Sequence, residues 1–524
     1  MLELIDKLPF RKIHLFAVGL LVLSIPLNKV TTSITCLILM GSWFVERDFK
    51  TKFRNIWKNK SSILFALVLL IHVIGLLYTD DFHYAWNDIR IKVPLLLGLL
   101  FASYPRFNFK QFHTVLLLYI FAVFAGTIIS LYIYYVKGIS DTRHITPFIS
   151  HIRFSLNVCF SIFILFYFMI FVKQFNWSLK ILIGFAIAWF VFYLVILRSS
   201  TGFLALGGSM LVSILYFSIT TKKLYLKISL IGLAILLPLS GYLLLRSVFT
   251  SYSTAEPVDI SKLDQTTALG NRYDHDTSTY PVENGKYVGL YIAYYELWEA
   301  WEKRADIPFF GKDADGQDIR FTLIRYLNSK GYRKDAQGVN LLTKDEIESI
   351  KKGNATVSQM QHKGIQSLIE EFMWGYKMYT MSGNPNGSSM MQRYEYLKAS
   401  IHLIKKYWFF GTGTGDIQHA FNQYYTETDS PLLPELRLRA HNQFLSIFIT
   451  FGIMGFLLFI AAVFYPPYAC KKYSNYLFLM FFVISFISML TDDTIETQAG
   501  VSFFSFFTGF LLYASPESDS YQSI

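Results

Sequence analysis

The chain has 524 residues, of which 53% are hydrophobic and 16% are charged, and its formal net charge is +11. Soluble domains carry about 25% charged residues, so the composition excludes an ordinary soluble enzyme. The apolar residues form runs of roughly 15 to 24 residues, about the length that crosses a hydrocarbon core. The sequence therefore predicts an all-α polytopic membrane protein, and we expect no nucleic-acid partner.

Twelve apolar segments are candidate membrane spans, and the fourth is the shortest. They lie near residues 13–27, 29–45, 61–78, 91–104, 113–136, 153–172, 179–197, 202–220, 227–246, 441–464, 475–491 and 499–514. A basic N-terminal segment precedes the first span, which has no clear small-residue cleavage site, so we expect that span to be retained. The sequence predicts three parts of the chain: a membrane domain at 1–246, a hydrophilic loop at 247–438, and a membrane domain with a short tail at 439–524.

Basic residues in the short connecting segments predict the orientation, because Lys and Arg in short loops stay on the cytoplasmic side. With the N-terminus inside, eighteen of these residues lie inside and seven outside. An even number of spans returns the C-terminus to the cytoplasm. The loop at 247–438 then lies outside, and segments such as GIQSLIEEFMWGYKMYT have helix-like apolar spacing. We expect a helical cap in which NPNGSS (384–389) and GTGTGD (411–416) form turns.

The outer face gathers basic residues that the orientation rule disfavours. A charge beside the hydrocarbon is costly and usually faces a cavity or a partner. We take these basic residues as candidate site residues and add Asn442, which follows His441. The candidates are Arg143, His144, His151 and Arg153 in DTRHITPFISHIRFSL, Arg198 in LRSSTG, Arg393 in QRYEYLK, and Arg439, His441 and Asn442 in LRAHNQF.

Arginines and one histidine at such a boundary suit a reaction of a lipid-linked pyrophosphate. Guanidinium groups bind phosphate oxygens bidentately and keep their charge, so they stabilise a pyrophosphate leaving group without a metal. A histidine takes a proton from an incoming hydroxyl or orients it. Structural alternatives remain: Arg153 and Arg198 as lipid anchors, and His441 as an interfacial residue.

Three further motifs favour structural interpretations. The pair Asp80 and Asp81 suits a solvated loop start better than a metal site. GTGTGD has no following lysine and no strand–helix context, so a turn is a better interpretation than a phosphate cradle. The three cysteines lie far apart and form no CxxC pair, which indicates neither a disulfide framework nor a zinc site.

Several motifs together resemble the O-antigen ligase/polymerase superfamily. The run AHNQFLSIFITFGIMGF (440–456) is similar to its histidine signature, H-N-x-x-L followed by G-x-x-G, after a large loop. MQRYEYLKASIHLIKKYWFFGTGTGD resembles the stretch that precedes this signature in Bacteroidetes-type members. LRSSTGFLALGG resembles the arginine-bearing end of an outer helix, and SHIRFSL a further stretch of that branch. The resemblance covers roughly residues 145–460.

The resemblance implies a GT-C-like enzyme of the bacterial inner membrane, with its active site in the periplasm. Such enzymes transfer glycan from an undecaprenyl-pyrophosphate carrier to an acceptor, with inversion and without metal or cofactor. Carried over by position, His441 is the catalytic residue and Arg393 the loop arginine that contacts pyrophosphate. Arg198 precedes the expected arginine position by two residues, which on a helix rotates the side chain by about 200°.

Further pyrophosphate contact is expected from Arg153, with accessory roles for Asn442, Arg439 and Arg143. We expect membrane lipids as partners and lipid A-core as the acceptor, because aromatic amphipathic helices in the loop suit a lipid acceptor. A second lipid-linked glycan (O-antigen polymerase) and a protein hydroxyl (protein O-oligosaccharyltransferase) remain open. A lipid-linked glycan exporter is disfavoured because the candidates collect at one end of nearly charge-free spans.

Overall fold

The computed structural model describes residues 10–138, 144–283, 285–314, 316–361 and 365–516. Within these ranges the regular structure is helical apart from one small hairpin, in which Val282–Glu283 (β1) pairs antiparallel with Lys286–Tyr287 (β2). The expectation of an all-α polytopic membrane protein is confirmed at this coarse level.

The α-helices follow the predicted order of apolar and hydrophilic segments. Those of the first part are α1 (Phe10–Ser24), α2 (Lys29–Val45), α3 (Phe49–Lys58), α4 (Ile63–Ile74), α5 (Phe82–Lys92), α6 (Leu97–Ser103), α7 (Phe109–Val136), α8 (His151–Phe171), α9 (Trp177–Leu197), α10 (Ser200–Thr220) and α11 (Leu224–Ser253). Those of the second part are α12 (Tyr294–Glu302), α13 (Ile319–Lys330), α14 (Ala336–Asn340), α15 (Lys344–Lys351), α16 (Val357–Met360), α17 (Ile365–Ser382), α18 (Ser389–Lys406), α19 (Ile417–Glu427), α20 (Gln443–Ala469), α21 (Tyr476–Thr491) and α22 (Gln498–Gly509).

Seven helical segments in the described ranges are long and apolar enough to cross a membrane, and three shorter ones are apolar. The seven are Lys60–Tyr78, Phe109–Val136, His151–Phe171, Trp177–Leu197, Ser200–Thr220, Leu224–Thr250 and Gln443–Ala469, and the three are Lys29–Val45, Tyr476–Thr491 and Gln498–Ala514. The fourth predicted span, 91–104, falls in a helical run from Phe82 to Ser103, where a 3-10 turn joins α5 to α6. The count of twelve spans stays a prediction.

The chain divides into two compact units. The first comprises Met1–Ala234, Tyr396–Ser430 and Arg437–Ile524, and the second comprises Ile235–Glu395 and Pro431–Leu436. Both α11 and α18 contribute residues to each unit. The predicted domain boundaries at 246 and 438 stay predictions.

Helix α8 is the most enclosed of the seven long apolar helices of the described ranges. In its most apolar stretch 78% of the residues are buried, compared with 22% in α9. Phe160 of α8 lies 5.4 Å from Phe481 of α21 and 4.8 Å from Phe507 of α22, measured between ring centroids. Arg153, in the first turn of α8, is also buried, with 4% of the residue exposed.

Helix α20 is broken at Gly452, and a glycine-rich turn occupies the break. Gly452 has φ +63° and ψ −163°, which no helical residue adopts. Gly411 also has positive φ, and a Cβ atom there would lie 2.2 Å from the carbonyl oxygen of Thr450. The N–H groups of Thr412 and Gly413 donate to the carbonyls of Ile449 and Thr450 at 2.9 and 3.0 Å. GTGTGD is therefore a turn that binds the backbone exposed by the break.

The same turn continues to the loop before α5. The carboxylate of Asp416 accepts hydrogen bonds from the hydroxyl of Thr79 and from the N–H groups of Asp80 and Asp81. The side chain of Asp81 in turn caps α5 by accepting from the N–H of Tyr84 at 2.8 Å. Asp80 and Asp81 therefore start a loop and a helix, as their position in the sequence favours.

The second unit has a separate core formed by α12, α13 and α15. Trp301, Leu323, Leu327 and Ile350 are fully buried there. The indole N–H of Trp301 donates to a backbone carbonyl at 2.8 Å. This part of the predicted loop is therefore a folded helical unit.

Candidate active site

His441 precedes α20 and has a left-handed backbone, with φ +47°. This conformation is uncommon for a residue other than glycine and costs roughly 1–3 kcal/mol. Asn442 follows in extended conformation, and its side-chain oxygen accepts from the N–H groups of Phe444 and Leu445. Its amide also donates to the carbonyl of Leu490 at 3.0 Å. Asn442 therefore caps α20 and fastens the helix start to the end of α21.

The imidazole of His441 is hydrogen-bonded to Asp492. Its Nδ1 lies 3.1 Å from Oδ1 of the carboxylate, and its side chain is 29% exposed. A carboxylate accepts but does not donate, so in the neutral imidazole Nδ1 carries the proton and Nε2 carries the lone pair. The ring also stacks on Tyr396, with centroids 5.4 Å apart. This arrangement holds one tautomer, in which Nε2 is a base.

Arg153 binds the other oxygen of the same carboxylate. Its Nη2 lies 3.1 Å from Oδ2 of Asp492 and donates to the carbonyl of Asp493 at 2.8 Å. Nη1 and Nε donate to the hydroxyls of Ser488 and Thr497. Burial disfavours the charged form of Asp492, but the charge of Arg153 and the hydrogen bond with His441 outweigh it. The pKa of Asp492 therefore lies well below its ordinary value.

The segment between α21 and α22, residues 492–497, is also attached to the first turn of α20. The hydroxyl of Ser446 donates to Asp493 at 2.6 Å. The buried amide of Gln443 donates to Glu496 at 2.9 Å and accepts from the N–H of Ile495 at 2.7 Å. We call residues 492–497 the acidic loop, and these contacts hold it against the residues that follow His441.

Glu496 binds two cations. Nζ of Lys92 lies 2.8 Å from its carboxylate, and Nη1 of Arg439 lies 3.6 Å from it. Burial disfavours the charge of Glu496, but Lys92 and Arg439 outweigh it and hold its pKa well below the ordinary value. Burial also opposes the charge of Arg439, yet Glu496 and Asp493 raise its pKa above the usual range. Two of the predicted cations, Arg153 and Arg439, thus have carboxylate partners in the first unit.

Arg198 lies at a break between two helices. It has φ +52° and ψ +33° and ends α9, so the helical spacing that would rotate its side chain does not apply. Ser199 then caps α10, and its hydroxyl lies 3.1 Å from that of Ser155 on α8. A Cβ atom at Gly202 would lie 2.7 Å from the Cβ of Ser155. The backbone beside Arg198 is therefore held against the first turns of α8, two residues beyond Arg153.

The other predicted site residues are Arg393, Arg143, His144 and His151. Arg393 is half-buried on the first part of α18 and belongs to the second unit. Arg143 lies outside the described residues. His144 is exposed, and His151 is half-buried in the first turn of α8. The roles assigned to all of these residues stay predictions.

Sequence analysis missed Asp492, Asp493 and Glu496 as site residues. Their segment, MLTDDTIET, lies between the last two predicted spans, on the same predicted side of the membrane as the loop at 247–438. Three carboxylates within five positions, at the same side of the membrane as the unexplained basic residues, are the signal that could have found them. Their pairing with His441, Arg153 and Arg439 follows from which helices pack together, and single-sequence patterns do not determine that.

A comparison with protein families adds independent information. The family model for O-antigen ligase matches residues 343–460, which include Arg393, Arg439, His441 and the first part of α20. The chain carries an O-antigen ligase domain. The resemblance to the O-antigen ligase superfamily is thereby confirmed, and the match supports glycan transfer of the ligase or polymerase type. No curated protein matches the chain detectably.

The O-antigen ligase domain does not contain the whole site. Its match begins after Arg153 and Arg198 and ends before Asp492. His441, inside the matched range, nevertheless contacts Asp492, and Asp492 contacts Arg153. Asp492 and Arg153, which lie outside the matched range, therefore help to hold the histidine of the O-antigen ligase domain.

Proposed function

We propose that this protein transfers glycan from an undecaprenyl-pyrophosphate carrier to a hydroxyl acceptor at the periplasmic face of the bacterial inner membrane. The acceptor that we favour is lipid A-core, as for an O-antigen ligase. The observation that carries the proposal is the contact of His441 Nδ1 with Asp492, which leaves Nε2 as a base on a side chain that is 29% exposed. The O-antigen ligase domain supports the class of reaction.

The chemistry requires one displacement. The acceptor oxygen attacks the anomeric carbon of the donor sugar, and Nε2 of His441 takes the proton from that hydroxyl. The bond between the anomeric carbon and the pyrophosphate oxygen breaks, and undecaprenyl pyrophosphate leaves with the electron pair. Because the acceptor enters opposite the leaving group, the anomeric configuration inverts.

In this proposal Asp492 assists the catalytic base, and the arginines assist the leaving group. The carboxylate of Asp492 orients the imidazole and stabilises the imidazolium that forms, as the aspartate of a catalytic triad does. We propose that Arg198 and Arg393 stabilise the pyrophosphate, whose charge grows as it leaves. Fixed guanidinium charge serves where other transferases use a metal ion, so we propose a metal-independent reaction.

Arg153 has a different role in this proposal. Its three nitrogen atoms all bind oxygen atoms of the protein, and its side chain is only 5% exposed. Pyrophosphate contact by Arg153 stays a prediction, and the geometry favours a positioning residue that holds Asp492 and the acidic loop. Arg439 is similarly engaged with Glu496, which favours an accessory role.

The test is deletion of the gene in its host, followed by complementation with wild type, His441→Ala or His419→Ala. We expect His441→Ala to lower glycan transfer by about 100-fold or more, because general base catalysis contributes about that much. His419 is an exposed histidine on α19 and serves as the matched control. Equal protein levels of the three forms in membranes must accompany the comparison.

Extracted lipopolysaccharide and carrier lipids distinguish the acceptors. Loss of the long-chain ladder with accumulation of carrier-linked polymer supports the ligase. A band with a single repeat indicates the polymerase, and an unchanged ladder with under-glycosylated proteins indicates the protein O-oligosaccharyltransferase. Full complementation by His441→Ala would disprove the assignment of the base, and unchanged glycans after deletion would overturn glycan transfer itself.

A further inference from the structure

The second unit has a cavity of about 920 Å³ that is partly open to the surface and is rich in cations and tyrosines. Its lining includes Lys286, Arg333, Lys334, Tyr287, Tyr291 and Tyr332. Among the described residues that line it, Glu256 is the only carboxylate, and it is exposed. We call this space the tyrosine cavity. Its surroundings favour an anionic ligand.

Lys334 is a buried cation in the wall of the tyrosine cavity. The residue is 4% exposed, and its Nζ donates to the carbonyl of Leu290 at 3.0 Å and to the side-chain oxygen of Asn328 at 2.9 Å. Both acceptors are neutral, and both residues also line the cavity. Burying an ammonium group without a counter-ion is costly, so an anion entering the cavity would supply the missing charge.

Several nearby charged groups of the described chain already have partners. Glu283 pairs with Arg325, Arg333 pairs with Asp264, and the carboxylate of Asp335 accepts from the neutral hydroxyl of Tyr273. The remaining cation, Lys286 on β2, is exposed, and its Nζ lies close to Gly331 at the end of α13. Lys286 and Lys334 thus add positive charge to a lining whose one carboxylate among the described residues is the exposed Glu256.

The electrostatics of Lys334 are those of a lysine whose charged form a bound anion would stabilise. Burial lowers its pKa to about 7, and the neighbouring charge of Lys286 adds to the effect, with Glu283 opposing it. A bound anion favours the ammonium form and would raise this pKa again. An anion that stays ionised should therefore bind more tightly below pH 7 than above it.

The aromatic part of the cavity includes a residue with an unusual backbone. Tyr291 has φ +57°, a conformation that bulky residues rarely adopt and that clusters at ligand sites. The guanidinium of Arg333 lies 4.8 Å from the centre of its ring. Tyrosine rings combine an apolar face with a hydroxyl group, and such surfaces suit the C–H faces and hydroxyls of sugars.

We propose that the tyrosine cavity binds a sugar that carries an anionic group, either a carboxylate or a phosphate, within the glycan that the protein handles. The ligand class rests on the proposed function, because glycan handling supplies the reason to expect a sugar. Lys286 and Lys334 bind the anionic group, and the tyrosines contact the ring. The cavity would select acidic glycans over neutral ones of the same size.

The test measures binding to the full-length protein in nanodiscs. The probes are trigalacturonic acid, galactose 1-phosphate and neutral galactotriose, followed by ligand-observed NMR. We expect the two anionic probes to bind and galactotriose to bind at least about tenfold more weakly. Preference between the first two identifies carboxylate or phosphate as the recognised group. Equal binding of acidic and neutral trisaccharides would overturn the proposal.

Variants assign the binding to this cavity. Lys286→Met and Lys334→Met should each weaken binding of the anionic probes by about tenfold, which corresponds to 1.4 kcal/mol. Lys303→Met, at an exposed residue that is outside the cavity lining, is the matched control. Lys286 is exposed, so its replacement tests the cavity even if Lys334→Met fails to fold. Retained affinity in Lys286→Met overturns the proposal.

Amine labelling provides a second readout that no mutation perturbs. Trace acetylation of the wild-type protein, followed by peptide mass spectrometry, reports the reactivity of Lys334 at each pH. Trigalacturonic acid should protect Lys334 and shift its titration to higher pH, and galactotriose should do neither. Unaltered labelling in the presence of saturating trigalacturonic acid would contradict the site.

Failure of this proposal is distinguishable from failure of the proposed function. His441→Ala should lose glycan transfer and keep binding of trigalacturonic acid. If the acidic sugars do not bind while transfer depends on His441, only the tyrosine cavity is disproved. If they bind while transfer survives His441→Ala, only the base assignment is disproved.

Discussion

Asp492 binds His441 and Arg153 with its two oxygens, and these contacts have opposite consequences for proton transfer. A carboxylate beside a histidine stabilises the imidazolium that forms when the ring takes a proton. The guanidinium of Arg153, 3.1 Å from Oδ2, makes the same carboxylate a weaker base. Asp492 therefore keeps its negative charge and leaves the proton on the imidazole. Its role is to orient the ring and to stabilise its charge.

Replacing Asp492 by Asn tests this role. The amide nitrogen of asparagine donates a hydrogen bond, so it favours the tautomer in which Nδ1 has the lone pair and Nε2 has the proton. That tautomer cannot accept a proton at Nε2. We expect kcat for glycan transfer to fall by about 100-fold or more with little change in KM for the donor, measured with purified protein in nanodiscs.

The control is Asp345→Asn, an exposed carboxylate in the first turn of α15. It should leave both kinetic constants unchanged. Arg153→Gln distinguishes the two roles considered for Arg153. If Arg153 positions the acidic loop, losing this buried counter-ion should lower the free energy of unfolding by about 3 kcal/mol. A pyrophosphate contact would instead raise KM for the donor with unchanged thermal stability. Normal kcat in Asp492→Asn would refute the orienting role.

At the scale of elements, the break in α20 shows why glycine occurs in both the G-x-x-G and GTGTG motifs. The break at Gly452 exposes backbone groups that must find partners inside the membrane domain. The N–H of Ile453 donates to the carbonyl of Trp408 at 2.8 Å, and the carbonyls of Ile449 and Thr450 accept from the glycine-rich turn. The two motifs are therefore two halves of one backbone contact.

Gly452→Ala should destabilise the protein strongly. A Cβ atom at this position would lie 2.0 Å from the carbonyl oxygen of Phe409, and its φ of +63° is unfavourable for alanine. We expect the free energy of unfolding to fall by about 2 kcal/mol or more, followed as a lower thermal midpoint in detergent. Because α20 starts beside His441, glycan transfer should fall with it.

The matched control is Gly184→Ala in α9. A Cβ atom at Gly184 meets no atom within 4 Å, and the backbone there is helical. Alanine is a better helix former than glycine by about 1 kcal/mol, so the thermal midpoint should stay constant or rise. Similar losses of stability in the two variants would mean that the break at Gly452 has no special requirement for glycine.

At the scale of the whole molecule, the sequence predicted which groups share a side of the membrane and missed which of them touch. The predicted alternation of spans puts the start of α20, the end of α21 and the start of α8 at the same side of the membrane. We therefore expect His441, the acidic loop and Arg153 at a similar depth along the membrane normal. Contact between Asp492 and both cations depends on α8, α20 and α21 being neighbours, which depends on packing. The left-handed backbone of Arg198 and His441 leaves no periodic signal either.

The packing of neighbouring helices also explains why the sequence motifs identified only part of the candidate active site. The histidine signature is local, and the matching O-antigen ligase domain covers it at residues 343–460. Asp492, which binds the histidine, lies after that range, and Arg153, which binds Asp492, lies before it. The composition of the acidic loop, with three carboxylates, predicts a solvated segment. In the folded chain its carboxylates instead lie beside Lys92, Arg153 and Arg439. Long-range pairing of this kind was beyond the sequence motifs.

Orientation is the remaining property that one experiment decides for the whole chain. The distribution of basic residues predicts that Thr428, before His441, lies in the periplasm and that Ser474, between α20 and α21, lies in the cytoplasm. Both residues are exposed. In a background without Cys36, Cys159 and Cys470, we expect Thr428→Cys to react with a membrane-impermeant maleimide in intact spheroplasts. Ser474→Cys should react only after permeabilisation, and the reverse pattern would place His441 on the cytoplasmic side and contradict the proposed periplasmic reaction.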